Sequence, residues 1–127
     1  MTKNNAKQYI LMGTLFMFLA IALGAFGAHG LKELVTGKYL DTYKTGVDYH
    51  IYHSLALILL GILKGQFPEI KMHLIYKAFM FGILLFSFNC YIYAVTQLKF
   101  FAMLVPFGGI SFLIGWGVLA TAFIRKK

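Results

Sequence analysis

The 127-residue sequence predicts an all-α membrane protein: four transmembrane helices in a single domain over residues 1–127, with a short interfacial helix between spans one and two. Three observations predict it. The chain is 60% hydrophobic and 17% aromatic with only 13% charged residues, whereas a soluble domain carries about a quarter of its residues charged. Uncharged apolar runs recur at lengths that suit a bilayer. The basic residues, which bring the net charge to +8, stand at the edges of those runs. That placement is what bilayer topology produces, with anionic lipid headgroups as counter-charge. A nucleic-acid partner is not expected, because the cations do not interleave with polar and aromatic residues. The single cysteine, Cys90, excludes an intrachain disulfide framework. Its place in an apolar run predicts a small buried hydrophobe.

The first span, residues 8–28, follows Lys3 and Lys7 and carries no charge. At 1.5 Å per residue it reaches about 31 Å, enough for the ~30 Å hydrocarbon core. A signal peptide also begins with basic residues, but its apolar core is shorter, ~7–15 residues, so this run is read as a retained helix. Its end, Gly24-Ala25-Phe26-Gly27-Ala28-His29-Gly30, packs small residues at helical spacing and stops on a glycine.

Between residues 31 and 47, Leu31, Val35, Tyr39 and Tyr43 recur every fourth position among charged neighbours, with a break at Gly37. One apolar stripe of this kind suits a short helix lying at the interface, or else a loop of partly helical character. The second span, about 46–63, is short: only 15 uncharged residues separate Asp48 from Lys64. To cross, it must draw His50, His53 and Asp48 below the headgroups, or thin the bilayer locally. The following turn contains Pro68, which prevents helix continuation.

The third and fourth spans are expected at 78–98 and 100–124, joined by a very short turn and so forming a tight hairpin. Four spans put both termini on one side. The tails and second turn hold Lys3, Lys7, Lys64, Lys71, Lys77, Arg125, Lys126 and Lys127, against Lys32, Lys38, Lys44 and Lys99 opposite. The excess places both termini in the cytoplasm. Tyrosines fall toward span edges, Tyr9 and Tyr76 on the inner side and Tyr49, Tyr52, Tyr91 and Tyr93 toward the outer.

Without a hydrophobic force between helices in lipid, association depends on close approach at small residues. Candidate packing rows are Ala20, Gly24 and Ala28, a second row of Gly13, Ala20 and Gly27, and on span four Gly108, Ser111 and Gly115 with Ala122. Rows on spans one and four that faced each other would let those helices pack closely. The candidate polar cluster is His29, at the end of span one, with Asp48, Tyr49, His50 and His53 at the start of span two. Ionisable groups at membrane depth usually face a bundle interior or cavity. A metal site, a proton relay or a headgroup pocket is one set of readings. The other is mutual hydrogen bonding near the interface, and it leads, because two histidines and a distant third make a weak ligand signature. Asn89 suits helix-to-helix hydrogen bonding. Pro106 ahead of Gly108-Gly109 suits a kink or break in span four. Trp116 is read as packing.

These residues carry a resemblance. Gly24-Ala25-Phe26-Gly27-Ala28-His29-Gly30-Leu31 resembles the signature of the YgdD/YwdK-like family of small uncharacterised bacterial multi-pass membrane proteins. Thr45 to Leu57, with Asp48-Tyr49-His50 and His53, is similar to its second block, Gly82 to Ser87 to its third span, and Pro106-Phe107-Gly108-Gly109 with Gly115-Trp116 to its last. Phe88-Asn89 and Thr42-Tyr43 depart from the family pattern. The resemblance implies a four-helix multi-pass protein of the bacterial plasma membrane and carries no established activity.

The leading functional expectation is a structural or accessory membrane protein, not an enzyme and without a cofactor or metal, whose partners are the lipid bilayer and either a further copy of itself or a larger membrane complex. Two alternatives stand beside it: an oligomeric small-molecule or ion transporter coupled through Asp48, and a metal or redox helper using the histidine cluster.

Overall fold

The computed structural model describes residues 2–126, with side chains from Asn5 onward; Lys127 and the side chain of Lys3, both used in the charge count, lie outside the described residues. It contains four long apolar helices: α1 (Thr2–His29), α2 (Lys38–Gln66), α3 (His73–Thr96) and α4 (Lys99–Arg125). The described residues form no strand.

The helical reading of residues 31–47 divides at Gly37. Leu31–Glu33 is one 3-10 turn, and everything from Lys38 onward belongs to α2. The division has a backbone cause. Gly37 sits at φ 61°, ψ −135°, a conformation open to glycine alone, and its carbonyl accepts the first amide bond of α2 from Asp41 at 3.1 Å. Gly30, the expected stop residue, instead keeps φ −102°, and its amide is bonded to the Phe26 carbonyl at 2.8 Å. The apolar stripe Leu31, Val35, Tyr43 is buried against Tyr91 and Ala94 of α3, so this segment closes one end of the bundle.

Joining residues 38–47 to the second span also resolves its shortness. A helix of 29 residues is about 43 Å long, ample for a crossing, and it carries His50 and His53 in its middle turns. At its other end Lys64 is buried and its ammonium donates to the carbonyls of Pro68 at 3.0 Å and Ile70 at 2.7 Å. One lysine thereby holds the α2–α3 turn. An exposed ion pair between Lys126 and Glu69 joins that turn to the end of α4. The Lys126 hydrogen bond holds the Glu69 carboxyl below the usual carboxylate range. Its contribution is therefore present above that range and lost as pH falls through the lowered value. Exposure of the pair to water keeps the contribution small.

The third helix ends at Thr96, two residues before the expected boundary, because Gln97 turns left-handed (φ 60°) and Leu98 is extended. Its middle is unusual: Ile83–Phe88 is π-helical. Buried Ile75, Phe79, Ile83, Ser87 and Tyr91 recur every fourth residue. In a regular α-helix each such step overshoots a full turn by about 40°, so the stripe would wind off the core. The wider π turn takes more residues per turn and keeps the stripe facing inward.

Two glycines hold this segment from opposite sides. Gly46 of α2 leaves room for the Cys90 Cβ and the Ser87 carbonyl, where a side chain would stand 2.7 and 3.1 Å away. Gly108 of α4 lies directly on the backbone of Leu85 and Phe86. The fourth helix runs unbroken through Pro106; no helix break occurs there.

The order of packing follows. The first helix lies along α2, with Gly13 against Ser54 and Ile58, Gly24 against Val47 and Gly27 against the Tyr43 ring. The fourth lies along α3, with Gly115 against Phe79 and the Ser111 hydroxyl donating to the Ala78 carbonyl at 2.7 Å. The small rows of α1 and α4 therefore meet α2 and α3 respectively, not each other. Helices α2 and α3 are central, and α1 and α4 are the outer pair, most of whose residues are left uncovered. Tyr9 and Tyr76, expected at a span edge, stack on each other inside the core with ring centroids 4.2 Å apart.

A Cβ at Gly108 meets main chain that cannot yield, so Gly108→Ala should cost about 1–3 kcal/mol through overpacking. Gly117→Ala, on the same helix but with nothing within 4 Å of an added Cβ, should not destabilise. Thermal unfolding of the two variants in one detergent checks this; equal melting temperatures would count against the backbone contact.

Candidate functional site

The residues expected to cluster are not all brought together. His29 ends α1 and Asp48 lies on the outer side of α2, both exposed. Asp48 and Lys44 edge a shallow groove of about 220 Å³ floored by Gly24, Gly27 and Ala28. His50 and His53 are buried, with 0% and 4% of their surface exposed. Three residues apart on one helix, they leave it in different directions.

His50 faces α1 and α3. Its Nδ1 shares a 2.8 Å hydrogen bond with the Tyr91 hydroxyl, and its ring meets Phe16 and Phe88 edge-on. Its Nε2 is buried without a hydrogen-bond partner among the described residues, as is the Ser87 hydroxyl. His53 faces α4. Its Nδ1–H donates to the Tyr49 carbonyl at 2.8 Å, which leaves Nε2 as an acceptor, and the Trp116 indole N–H donates to it at 2.9 Å. The two partners together define the neutral Nδ1–H tautomer, since a carbonyl can only accept and an indole can only donate. The imidazole also stacks on Phe112 at 3.5 Å and 9°.

Sequence reading passed over the partners: Tyr91, Phe112, Phe88 and the polar role of Trp116. Positions 53 and 116 stand 63 residues apart, and no spacing rule links residues on separate helices. Asn89 also differs from expectation. Its side-chain amide donates to the Leu85 carbonyl of its own helix at 2.7 Å, satisfying a group next to the π segment rather than bridging helices.

Chemically the arrangement reads as an aromatic and hydrogen-bonding clamp across three helices. Three of the four imidazole nitrogens of His50 and His53 are bonded. Among the described residues, no group of three His, Cys, Asp or Glu is placed to hold a metal ion. Tyr49, His53, Phe112 and Trp116, with Pro106 and Leu113, border an apolar groove of about 460 Å³ between α2 and α4. Trp116 is 42% exposed, so the clamp sits at the edge of the bundle.

Removing one partner leaves the other unpaired, and hydrogen bonds between membrane helices average about 0.6 kcal/mol and reach about 1.7. Trp116→Phe should lower stability within that range, and should cost less once His53 is already Phe. A double-mutant cycle by thermal unfolding measures the coupling; strictly additive costs would show that the bond contributes nothing.

Comparison with known proteins agrees with this architecture. The family described as a protein of unknown function (DUF423) matches residues 23–109. The chain is 39% identical over 120 residues to the UPF0382 membrane protein YwdK of Bacillus subtilis, covering 94% of this chain and 98% of that one. It is 37% identical over 113 residues to a UPF0382 membrane protein of Staphylococcus saprophyticus, covering 89% and 93%. A relative from Staphylococcus aureus is 36% identical over 119 residues, covering 94% and 97%. No solved structure matches the chain.

Proposed function

The chain belongs to the DUF423 family of UPF0382 membrane proteins, and we infer that it acts as a structural or accessory protein of the bacterial plasma membrane, not as an enzyme. It works through helix contacts with itself or with a larger membrane complex. One observation carries this reading: the outer face of α1. The row Gly13, Ala20 and Gly27 is consumed by α2, with Ala20 fully buried. Ala22 and Ala25 lie exposed on the other side beside Phe18 and Ile21. Lipid tails pack against leucine as well as against alanine, whereas a second helix gains by coming close over small residues. The bonded state of the histidine clamp supports the same conclusion, because it commits to packing the side chains that acid–base chemistry would need.

Both termini are assigned to the cytoplasm. Lys7, Lys64, Lys71, Lys77, Arg125 and Lys126 gather at one end of the bundle against Lys32, Lys38, Lys44 and Lys99 at the other, and the positive-inside bias supports that orientation. A C-terminal fluorescent-protein fusion should fluoresce and a C-terminal alkaline phosphatase fusion should be inactive; the reverse pair would invert the topology.

The contact reading is tested with Ala25→Cys in a Cys90→Ala background, oxidised in native membranes. A disulfide-linked species of twice the monomer mass, or of one reproducible larger mass, is expected. Monomer alone from both Ala25→Cys and Ala22→Cys would overturn the proposal.

A further inference from the structure

A groove of about 730 Å³ opens where the α2–α3 turn meets the last turns of α4. Its walls are apolar, with Ile114 and Val118 along one side and Ile70 beneath, and its mouth carries two cations, Lys71 and Arg125. The nearest carboxylate on that turn, Glu69, is already engaged by Lys126. Neither Lys71 nor Arg125 has an ion-pair partner among the described residues. The floor is Gly117, where an added Cβ would meet nothing within 4 Å. The groove is therefore open space and not a packing seam. From Arg125 to Ile114 along α4 is about 16 Å, close to one leaflet of a ~30 Å hydrocarbon core.

We propose that this groove is a binding site for one anionic glycerophospholipid, its phosphate between Lys71 and Arg125 and one acyl chain laid over Gly117 toward Ile114. The length matches a single leaflet, the walls match a hydrocarbon chain, and the paired cations match a phosphodiester with a net negative charge. A zwitterionic lipid offers the same chain but cancels the headgroup attraction with its own cation. The site is independent of the self-association face on α1, which lies on the outer helix at the other side of the bundle.

Native mass spectrometry of the full-length protein, released from mild detergent with equal amounts of phosphatidylglycerol and phosphatidylcholine, tests the site. The unaltered protein should retain one phosphatidylglycerol in preference to phosphatidylcholine. Near a membrane surface each Lys or Arg attracts anionic lipid enough that losing two should weaken retention roughly tenfold or more, so Lys71→Gln with Arg125→Gln should abolish the preference. Gly117→Leu should fill the floor and release the lipid while leaving both charges in place. Lys44→Gln, at the opposite end, should retain the preference.

Unchanged preference in the Lys71/Arg125 variant would overturn the site. So would an equal loss in Lys44→Gln, which would mark general charge attraction. Loss of a dimer in Gly117→Leu with lipid retained would also overturn it, assigning the groove to a second copy. If Gly117→Leu does not fold, the Lys71/Arg125 variant alone decides.

Discussion

Close approach of main chain to main chain at glycine is the constraint on which the rest of this structure depends. Lipid tails are as apolar as leucine, so burying apolar side chains between helices supplies little drive inside a bilayer, and contact must come from shape. The π segment of α3 concentrates the requirement. Gly46 on one side and Gly108 on the other leave room for residues 85–90, and any Cβ at Gly108 would stand inside the neighbouring backbone. With that seam closed, α3 is fixed between α2 and α4, and the inward stripe from Ile75 to Tyr91 can face one core along its whole length.

The histidines belong to the same logic. A polar ring buried at membrane depth is costly unless bonded, and each histidine finds its partner on a different helix: His50 on α3 through Tyr91, His53 on α4 through Trp116. Together they tie the central helix to both members of the hairpin that follows it. Aromatic rings complete the arrangement, with Phe112 flat on His53 and Phe16 and Phe88 edge-on to His50. Polarity in the middle of α2 thus specifies the relative rotation of three helices, something uniform apolar surfaces cannot do. The buried Nε2 of His50 is the exception. It faces α1, one of the two outer helices.

Much of the candidate site was legible as residue types and little of it as partners. His50 and His53 were visible because two imidazoles within an otherwise short apolar run must be drawn into the membrane if the helix is to cross. Their separation into two unrelated contacts was not visible, since residues 91 and 116 approach them only through the packing of α3 and α4. The small-residue row at spacing seven, Gly13, Ala20 and Gly27, lies on the face of α1 that meets α2, a neighbour that spacing along one helix cannot name. Asn89 shows the limit most plainly. Its position at mid-span suggests a bridge between helices, yet the adjoining π turn presents a nearer carbonyl, and the side chain folds back onto its own helix.

By itself the sequence determined the class of solvent, the number of apolar helices and the turn at Pro68, because each follows from local composition and from the ~30 Å cost of crossing a bilayer; the family followed instead from the resemblance of its motif blocks, Gly24 to Leu31 first among them. The tertiary structure alone decided which helices are central, why α3 needs a π segment, and how Lys64 closes the α2–α3 turn by bonding two carbonyls. It also decided that cations at Lys71 and Arg125 border an open groove. These are relations between residues far apart in the chain. They depend on helix rotation and main-chain distance, and neither quantity is written in the order of the amino acids.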